Sequence, residues 1–227
     1  MTLILGARGR QHVVLMADGF SIEISEDKTR VAKRDLTKLF GVEGVPVVIG
    51  HFGVNRLGAL PVADVIEQEA VQDAVQQSWR RGLNVTAAKV IAQLDAMVAP
   101  TLKSHPLRSN FGLWLAGLWP CTDIPEVIEI YWNNLPFNRV RVQMKSLGDL
   151  SVGGSGLKYL RDLVSKPLDG EYEMKKIFES PPEYSMEYLK RLYDRAEKGQ
   201  AKAKEELFGG TRKMALITAD GVDLGEG

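Results

Sequence analysis

Two apolar runs, Leu3 to Ala7 and Val13 to Ala17, lie on either side of Gly-Arg-Gln-His, and this pattern limits the fold more than any other. Short runs rich in branched residues around a polar connection of roughly three to five residues predict a β-hairpin. Both runs are nearly continuous rather than alternating, as in strands covered on both faces. The sheet that holds the hairpin is therefore at least partly antiparallel, and its second face needs a further layer. Lys38 to Val42, Val45 to Ile49, Gly112 to Leu118, Val127 to Trp132 and Met214 to Thr218 are strand candidates of the same kind.

Helical spacing supplies that layer. From Asn55 to about Arg80 the apolar residues recur with helical period, and Pro61 is tolerated only near the first turn. Asn84 or Thr86 can cap a second helix, TAAKVIAQLDAMV, which should stop before Pro100. A short third helix, LKYLRDLV, ends before Lys166-Pro167, and a fourth, from Ser185 to Phe208, carries Leu189, Leu192, Tyr193 and Ala196 on one face. Between these last two, KPLDGEYEMKKIFESPPEYS reads as an irregular insertion, because its Pro-Pro pair argues against one continuous helix. The order is strands, two helices, strands, two helices, final strand. It predicts a single α+β domain over 1–227, a four-layer αββα sandwich of two largely antiparallel sheets covered outside by helix pairs.

Composition narrows the function. The 29 Lys and Arg balance the 29 Asp and Glu, whereas a nucleic-acid binder normally carries a basic excess on one face. No uninterrupted apolar run reaches the length of a membrane span, and Arg8 and Arg10 break the apolar start before it can resemble an export signal. The single cysteine, Cys121, cannot close an internal disulfide, so a cytoplasmic location is expected. His12, His51 and His105 are scattered, with no nucleophile-elbow motif and no metal-ligand cluster. The Gly-Gly-Ser-Gly stretch lacks the ending of a phosphate loop. No metal or cofactor is expected. Trp79, Trp114, Trp119 and Trp132 read as core or subunit-interface residues.

The hairpin brings polar groups together. If it folds about Arg10, facing residues sum to about 20, and Thr2 stands opposite Asp18 on the same sheet face. With Met1 trimmed, Thr2 would carry a nucleophilic hydroxyl and a free α-amine able to take its proton. That amine has an ordinary pKa of about 7.7–8.0 and needs only a modest downward shift. A neighbouring lysine would supply it, and Asp18 would hold the lysine.

The string HVVLMADGF resembles a segment of the bacterial HslV protease, and MTLILGARGRQHVVLMADG as a whole resembles the opening of proteasome β subunits. On that resemblance the catalytic lysine falls on Lys38 within TKLFGV. The oxyanion glycine falls on Gly50 within VVIGHFG, with Gly53 behind it. A supporting serine falls on Ser155 within VGGSGLKYL. In EELFGGTRKMALIT, Glu205 takes the family's Asp position and Phe208 its Ser position. Phe20, Ser21, Ile22 and Gly50 would bind substrate as an added strand, and Val48 would line an apolar specificity pocket. The ordered set spans the chain and is similar to the bacterial β-proteasome homologues, a sister group of HslV. It implies the N-terminal-nucleophile hydrolase fold and a threonine peptidase acting on peptides or unfolded proteins. It also implies a homo-oligomeric double ring, a tetradecamer rather than a dodecamer, with room for an ATP-dependent unfoldase as partner.

Two other assignments stay open. Phe208 and Glu205 depart from the family pattern and suit a catalytically inactive ring subunit. The same layered fold also serves amidases acting on small metabolites.

Overall fold

The computed structural model describes residues 2–24, 30–104, 110–119, 124–132, 140–144, 150–160 and 175–227. Within them the chain is a mixed α+β protein with several antiparallel sheets and helices. Strands β1 (Leu3–Arg8) and β2 (Val13–Asp18) form the hairpin. The ribbon β3 (Ser21–Ile24) and β4 (Arg30–Lys33) follows, then β5 (Leu39–Gly41) and β6 (Val47–Gly53). A small hairpin of β7 (Arg56–Leu57) and β8 (Leu60–Pro61) leads into α1 (Val62–Ile66), α2 (Glu69–Gln76) and α3 (Leu83–Ser104). Strands β9 (Phe111–Trp119), β10 (Ile124–Trp132), β11 (Val140–Met144) and β12 (Leu150–Gly154) come next. Helix α4 (Pro182–Lys202) and strands β13 (Arg212–Thr218) and β14 (Gly221–Glu226) close the chain.

One five-stranded sheet runs β12–β1–β2–β13–β14 and another β11–β10–β9–β6–β5, every pairing antiparallel. Alternate residues of β1 and β2 enter different apolar clusters, which is why both runs are continuous. Ile4, Val13, Leu15 and Ala17 pack with Val48, Phe52, Trp114 and Ala116 of the other sheet. Leu3, Leu5, Val14 and Met16 pack instead with Leu189, Leu192, Tyr193 and Ala196 of α4. A third cluster joins Ile49, Leu113, Leu115 and Ile130 to Val65, Val71, Val90 and Leu94 of α1, α2 and α3.

Several elements depart from their sequence expectation. The stretch from Asn55 to Arg80 is not one helix. Gly58 turns with φ +64°, Pro61 precedes α1, and Gln68 is extended at ψ 137°, separating α1 from α2. Helix α3 starts one residue before Asn84 and runs on through Pro100, which is exposed, to Ser104. By length and composition Leu83–Leu102 is apolar enough to cross a membrane, an outcome the run-length expectation did not contain. In the fold its Leu83, Ala87, Val90, Leu94 and Val98 stripe is buried against the sheet. Of the third expected helix, Leu157–Leu160 falls largely within a 3-10 turn, Ser155–Tyr159, and the rest lies outside the described residues. So do His105, Cys121 and the first part of the expected insertion. The second part is helical over 175–179, and the chain breaks at Ser180-Pro181 before α4, where the Pro-Pro pair required it.

Pro100 cannot donate to the carbonyl of Ala96, a loss only partly offset by its stiffening of the unfolded chain. Pro100→Ala should therefore raise stability by about 1–2 kcal/mol, read as a higher midpoint in urea denaturation. A lower midpoint would contradict this account of α3.

Candidate active site

The hairpin register differs from expectation by one residue. Ile4 faces Ala17 and Leu5 faces Met16, so facing residues sum to 21, and continuing the ladder puts Leu3 opposite Asp18. The turn is centred between Arg10 and Gln11, with Gly9 N–H donating to His12 O at 3.0 Å. Thr2 is therefore brought to Asp18 by a third residue rather than by direct opposition.

That residue is Lys38. Its Nζ donates to Thr2 Oγ1 at 2.8 Å, to Asp18 Oδ1 at 3.0 Å and to Phe20 O at 2.5 Å. Thr2, Asp18 and Lys38 are all buried, and the Lys38 and Asp18 side chains have no exposed surface. Asp18 gathers the other donors. Leu3 N–H reaches Oδ1 at 2.9 Å, while Phe20 N–H and Gly209 N–H reach Oδ2 at 3.2 and 3.0 Å. An ammonium has three donors and a carboxylate about four acceptor sites, and here both complements are filled. Burial pushes the Asp18 carboxyl up, against the pull of Lys38 and the backbone amides, and pushes the Lys38 amine down against the pull of Asp18.

Backbone contacts deliver Lys38 to this place. Leu36 N–H donates to Gly19 O and Thr211 N–H to Arg34 O, so residues 34–36 lie along both the β2 exit and the β13 entry. On the far side His51 N–H donates to Lys38 O at 3.0 Å. The His51 ring is buried beside Lys38, and burial first, then the ammonium, lowers its pKa to about 3 despite a hydrogen bond to the Thr37 backbone. It stays neutral. Nothing in the spacing of HFGV announced that packing.

Gly154 and Ser155 flank Thr2. Gly154 pairs with Leu3, has φ +84°, and leaves no room for a Cβ, which would stand 2.1 Å from Thr2 O. Ser155 begins the 3-10 turn immediately after it and lines the adjoining cleft, outside the three-way contact of Thr2, Asp18 and Lys38.

Other expected residues lie elsewhere. Gly50 faces Leu39 on one side and Trp114 on the other. Val42 N–H donates to Val47 O of β6, His51 N–H to Lys38 O just before β5, and Val54 N–H to Asn110 O just before β9. By the alternation of an antiparallel ladder, the N–H of Gly50 turns to β9 and Trp114. Gly50 instead serves close packing, since a Cβ there would meet Ile4 Cδ1 at 2.7 Å. Strand β6 ends at Gly53, with φ +93°, beyond the last β5 pair and on the β5-facing side of the alternation.

Val48 is fully buried between the sheets. Glu205 is partly exposed and bonds Lys158 Nζ and Tyr159 Oη, away from Thr2. Phe208, which the resemblance aligned with a serine, is buried against Tyr159 and Tyr193. Gln200 at the end of α4 takes over the holding of this segment, accepting from Leu207 N–H at 3.0 Å and donating to Phe208 O at 2.8 Å. That clasp sets Gly209 where its amide meets Asp18. Gln200 escaped sequence reading because its partners are backbone atoms. Phe20 and Ser21 are buried and Ile22 partly so. The Phe20 ring lies under Arg34 at 5.5 Å, and Ser21 pairs with Lys33 at the start of the β3–β4 ribbon.

No protein-family model matches the chain, and a search of curated proteins finds no match. The site is therefore interpreted from its own geometry.

Removing the Lys38 charge would leave a buried carboxylate without its ion partner, which is strongly destabilising. Lys38→Met should cost about 3–5 kcal/mol at neutral pH. In that variant the folded-state pKa of Asp18 rises further above its unfolded value. The folded protein then binds more protons, and stability is lost as pH climbs from the unfolded towards the folded pKa. Urea midpoints should accordingly recover as pH falls through the acid range. A pH-independent deficit would contradict the ion-pair account.

Proposed function

We infer that this chain is a threonine peptidase of the N-terminal-nucleophile type, acting through Thr2 once Met1 is removed. The single observation that carries the assignment is the 2.8 Å contact from Lys38 Nζ to Thr2 Oγ1. A lysine whose three donors are all engaged is held as an ammonium and cannot itself be the base. It lowers the pKa of its neighbours and steadies the threonine oxygen, leaving proton uptake to the Thr2 α-amine.

In this mechanism Thr2 Oγ attacks the scissile carbonyl as its proton passes to the α-amine, directly or through water. The C–N bond breaks, the leaving amine takes that proton, and an ester on Thr2 remains. Water then attacks the ester with the same amine as base and restores Thr2. With the Gly50 amide directed to β9, the oxyanion donor is assigned to Gly53 at the open end of β6, where a fixed N–H dipole stabilises developing charge. Phe20, Ser21 and Ile22 are assigned to the substrate strand, and Ser155 to support of the Thr2 amine.

The three apolar clusters support the four-layer αββα arrangement, with one between the sheets and one on the outer face of each. The assignment extends to the proteasome β and HslV group, a homo-oligomeric double ring, peptide or unfolded-protein substrates and a cytoplasmic location. No metal or cofactor enters the chemistry as written. An inactive ring subunit is the second assignment, favoured by the exposure of Glu205 and the burial of Phe208, which remove two supports expected at the threonine.

Thr2→Ala should lower peptide hydrolysis by about a thousandfold or more and abolish labelling by epoxyketones that react with amine and hydroxyl together, in a protein that still folds but at a lower urea midpoint, since Lys38 loses one buried acceptor. Intact mass of the wild-type protein should show loss of Met1 and, after inhibitor treatment, one adduct on Thr2. Full activity in Thr2→Ala, or an adduct elsewhere, overturns the assignment. Retained Met1 would favour the inactive subunit.

A further inference from the structure

The chain reverses after α4 through Lys204, the one non-glycine residue among those described with left-handed backbone, at φ +54°. That conformation is disfavoured for any side chain with a Cβ and persists where the surroundings over-determine it. Gln200 is what over-determines it. Its carbonyl accepts from Glu205 N–H at 3.0 Å, and its Oε1 accepts from Leu207 N–H at 3.0 Å and Phe208 N–H at 3.4 Å. Its Nε2 donates to Phe208 O at 2.8 Å.

The last of these bonds reaches the charge pair. The Phe208 carbonyl and the Gly209 N–H belong to one peptide group, which is planar and moves as a unit. Gln200 holds the oxygen end of that plane, and the N–H end donates to Asp18 Oδ2 at 3.0 Å. Gly209 has φ +140° and nothing within 4 Å of where a Cβ would stand, so its own packing does little to orient the plane. Hydrogen bonds in series also polarise one another. A side chain on the outer helix thus aims one of the donors that keep a carboxylate charged in the core.

The groups around Asp18 leave that donor a distinct part to play. Lys38 Nζ stands 3.0 Å away and is the one cation bonded to Asp18 among the described residues. Burial first, then the Asp18 charge, pushes the Tyr193 phenol of α4 up, so it is neutral. Arg212 lies opposite Asp18 in the ladder, yet its guanidinium bonds Asp194 and Glu197. His51 beside Lys38 is neutral, and the Thr2 amine joins this set once Met1 is removed.

We propose that Gln200 is a positioning residue for the Thr2 reaction: through the Phe208–Gly209 peptide plane it keeps Asp18 ionised, and so keeps Lys38 as the ammonium that faces Thr2. This rests on the Thr2 hydrolase assignment and deepens it by naming the group on α4 on which its charge pair depends.

Gln200→Met keeps the length of the side chain and removes the bonds of its amide. Losing a donor to a charged group should raise the folded-state pKa of Asp18 by about one unit or more. A carboxylate short of one donor also makes the potential at the Thr2 amine more negative and the amine more basic. Both effects move the acid limb of the kcat/KM profile to higher pH. At neutral pH kcat should fall about tenfold, with KM little changed.

Urea midpoints give a readout without chemistry. With the folded pKa of Asp18 further above its unfolded value, the variant loses stability as pH climbs towards the folded pKa. Its deficit against wild type should be smallest in acid and grow towards neutral pH. Lys204→Gly relieves the left-handed lysine but keeps Gln200, and should raise the midpoint equally at every pH without moving the acid limb. Thr2-dependent cleavage with an unmoved acid limb in Gln200→Met, or a deficit equal at every pH, overturns the positioning role and leaves the hydrolase standing. An acid limb that moves in Lys204→Gly as well also overturns that role, because any disturbance of the turn would then suffice. A pH-dependent deficit in Gln200→Met without Thr2-dependent cleavage in wild type overturns the hydrolase and upholds the hold of Gln200 on Asp18. Absence of both overturns both.

Discussion

The buried carboxylate of Asp18 holds this structure together where its chemistry would occur. Four donors converge on it from four separate parts of the chain: Leu3 at the start of β1, Phe20 after β2, Lys38 before β5 and Gly209 before β13. A buried charge is tolerated only when its hydrogen-bonding capacity is met. The burial of Asp18 thus fixes three backbone amides and one lysine side chain at once, and Thr2 inherits its place from Leu3 beside it. The same constraint keeps Lys38 close, because among the described residues no other carboxylate is bonded to its ammonium.

Filled valences also decide how the groups divide the work. Lys38 donates to Thr2, Asp18 and Phe20 in one buried corner, so its charge has little freedom to leave. Desolvation lowers its pKa, yet each acceptor it faces favours the charged form. The neutral His51 ring packed beside it adds no competing charge. A charged lysine against a threonine oxygen favours an attacking alkoxide without accepting its proton. In the proposed reaction the base would be a group that the lysine itself makes less basic, the role given there to the Thr2 α-amine once Met1 is removed.

Much of this was legible in the sequence, for a physical reason. Continuous apolar runs mark strands buried on both faces, and β1, β2, β6, β9 and β10 behave so because each alternate residue enters a different cluster. Thr2 and Asp18 could be named from the hairpin, because a polar residue ending such a run must find a partner, whereas Lys38 could be named only from the resemblance of TKLFGV to proteasome β subunits. Among the strands without a sequence expectation, β12 and β14 carry other duties in their sequence. β12 is glycine-rich because a Cβ on Gly153 would meet Ile4 at 2.7 Å, and β14 is an edge strand whose Leu224 is 48% exposed. The register slipped by one because the turn centre lies between two residues, which no pattern in Gly-Arg-Gln-His reveals. Sequence alone does not tell which way the Gly50 amide faces. Ladder parity does.

The replacement at Phe208 follows from the same logic. A serine there would offer a hydroxyl towards the threonine, but here the side chain turns to the outer core and stacks edge-on to Tyr193 at 5.7 Å. The backbone still needs an anchor, since Gly209 must present its amide to Asp18. Gln200 supplies it from the last turns of α4 by closing on Leu207 and Phe208 with both ends of its amide. Helix packing on the outer face of the sheet thereby becomes coupled to the geometry of the buried carboxylate. An apolar anchor and a side-chain amide replace a hydroxyl, and Asp18 keeps its fourth donor. Under the proposed kinship with proteasome β subunits, Phe208 would remove one polar neighbour of the threonine, while the Asp18–Lys38 pair beneath it is intact.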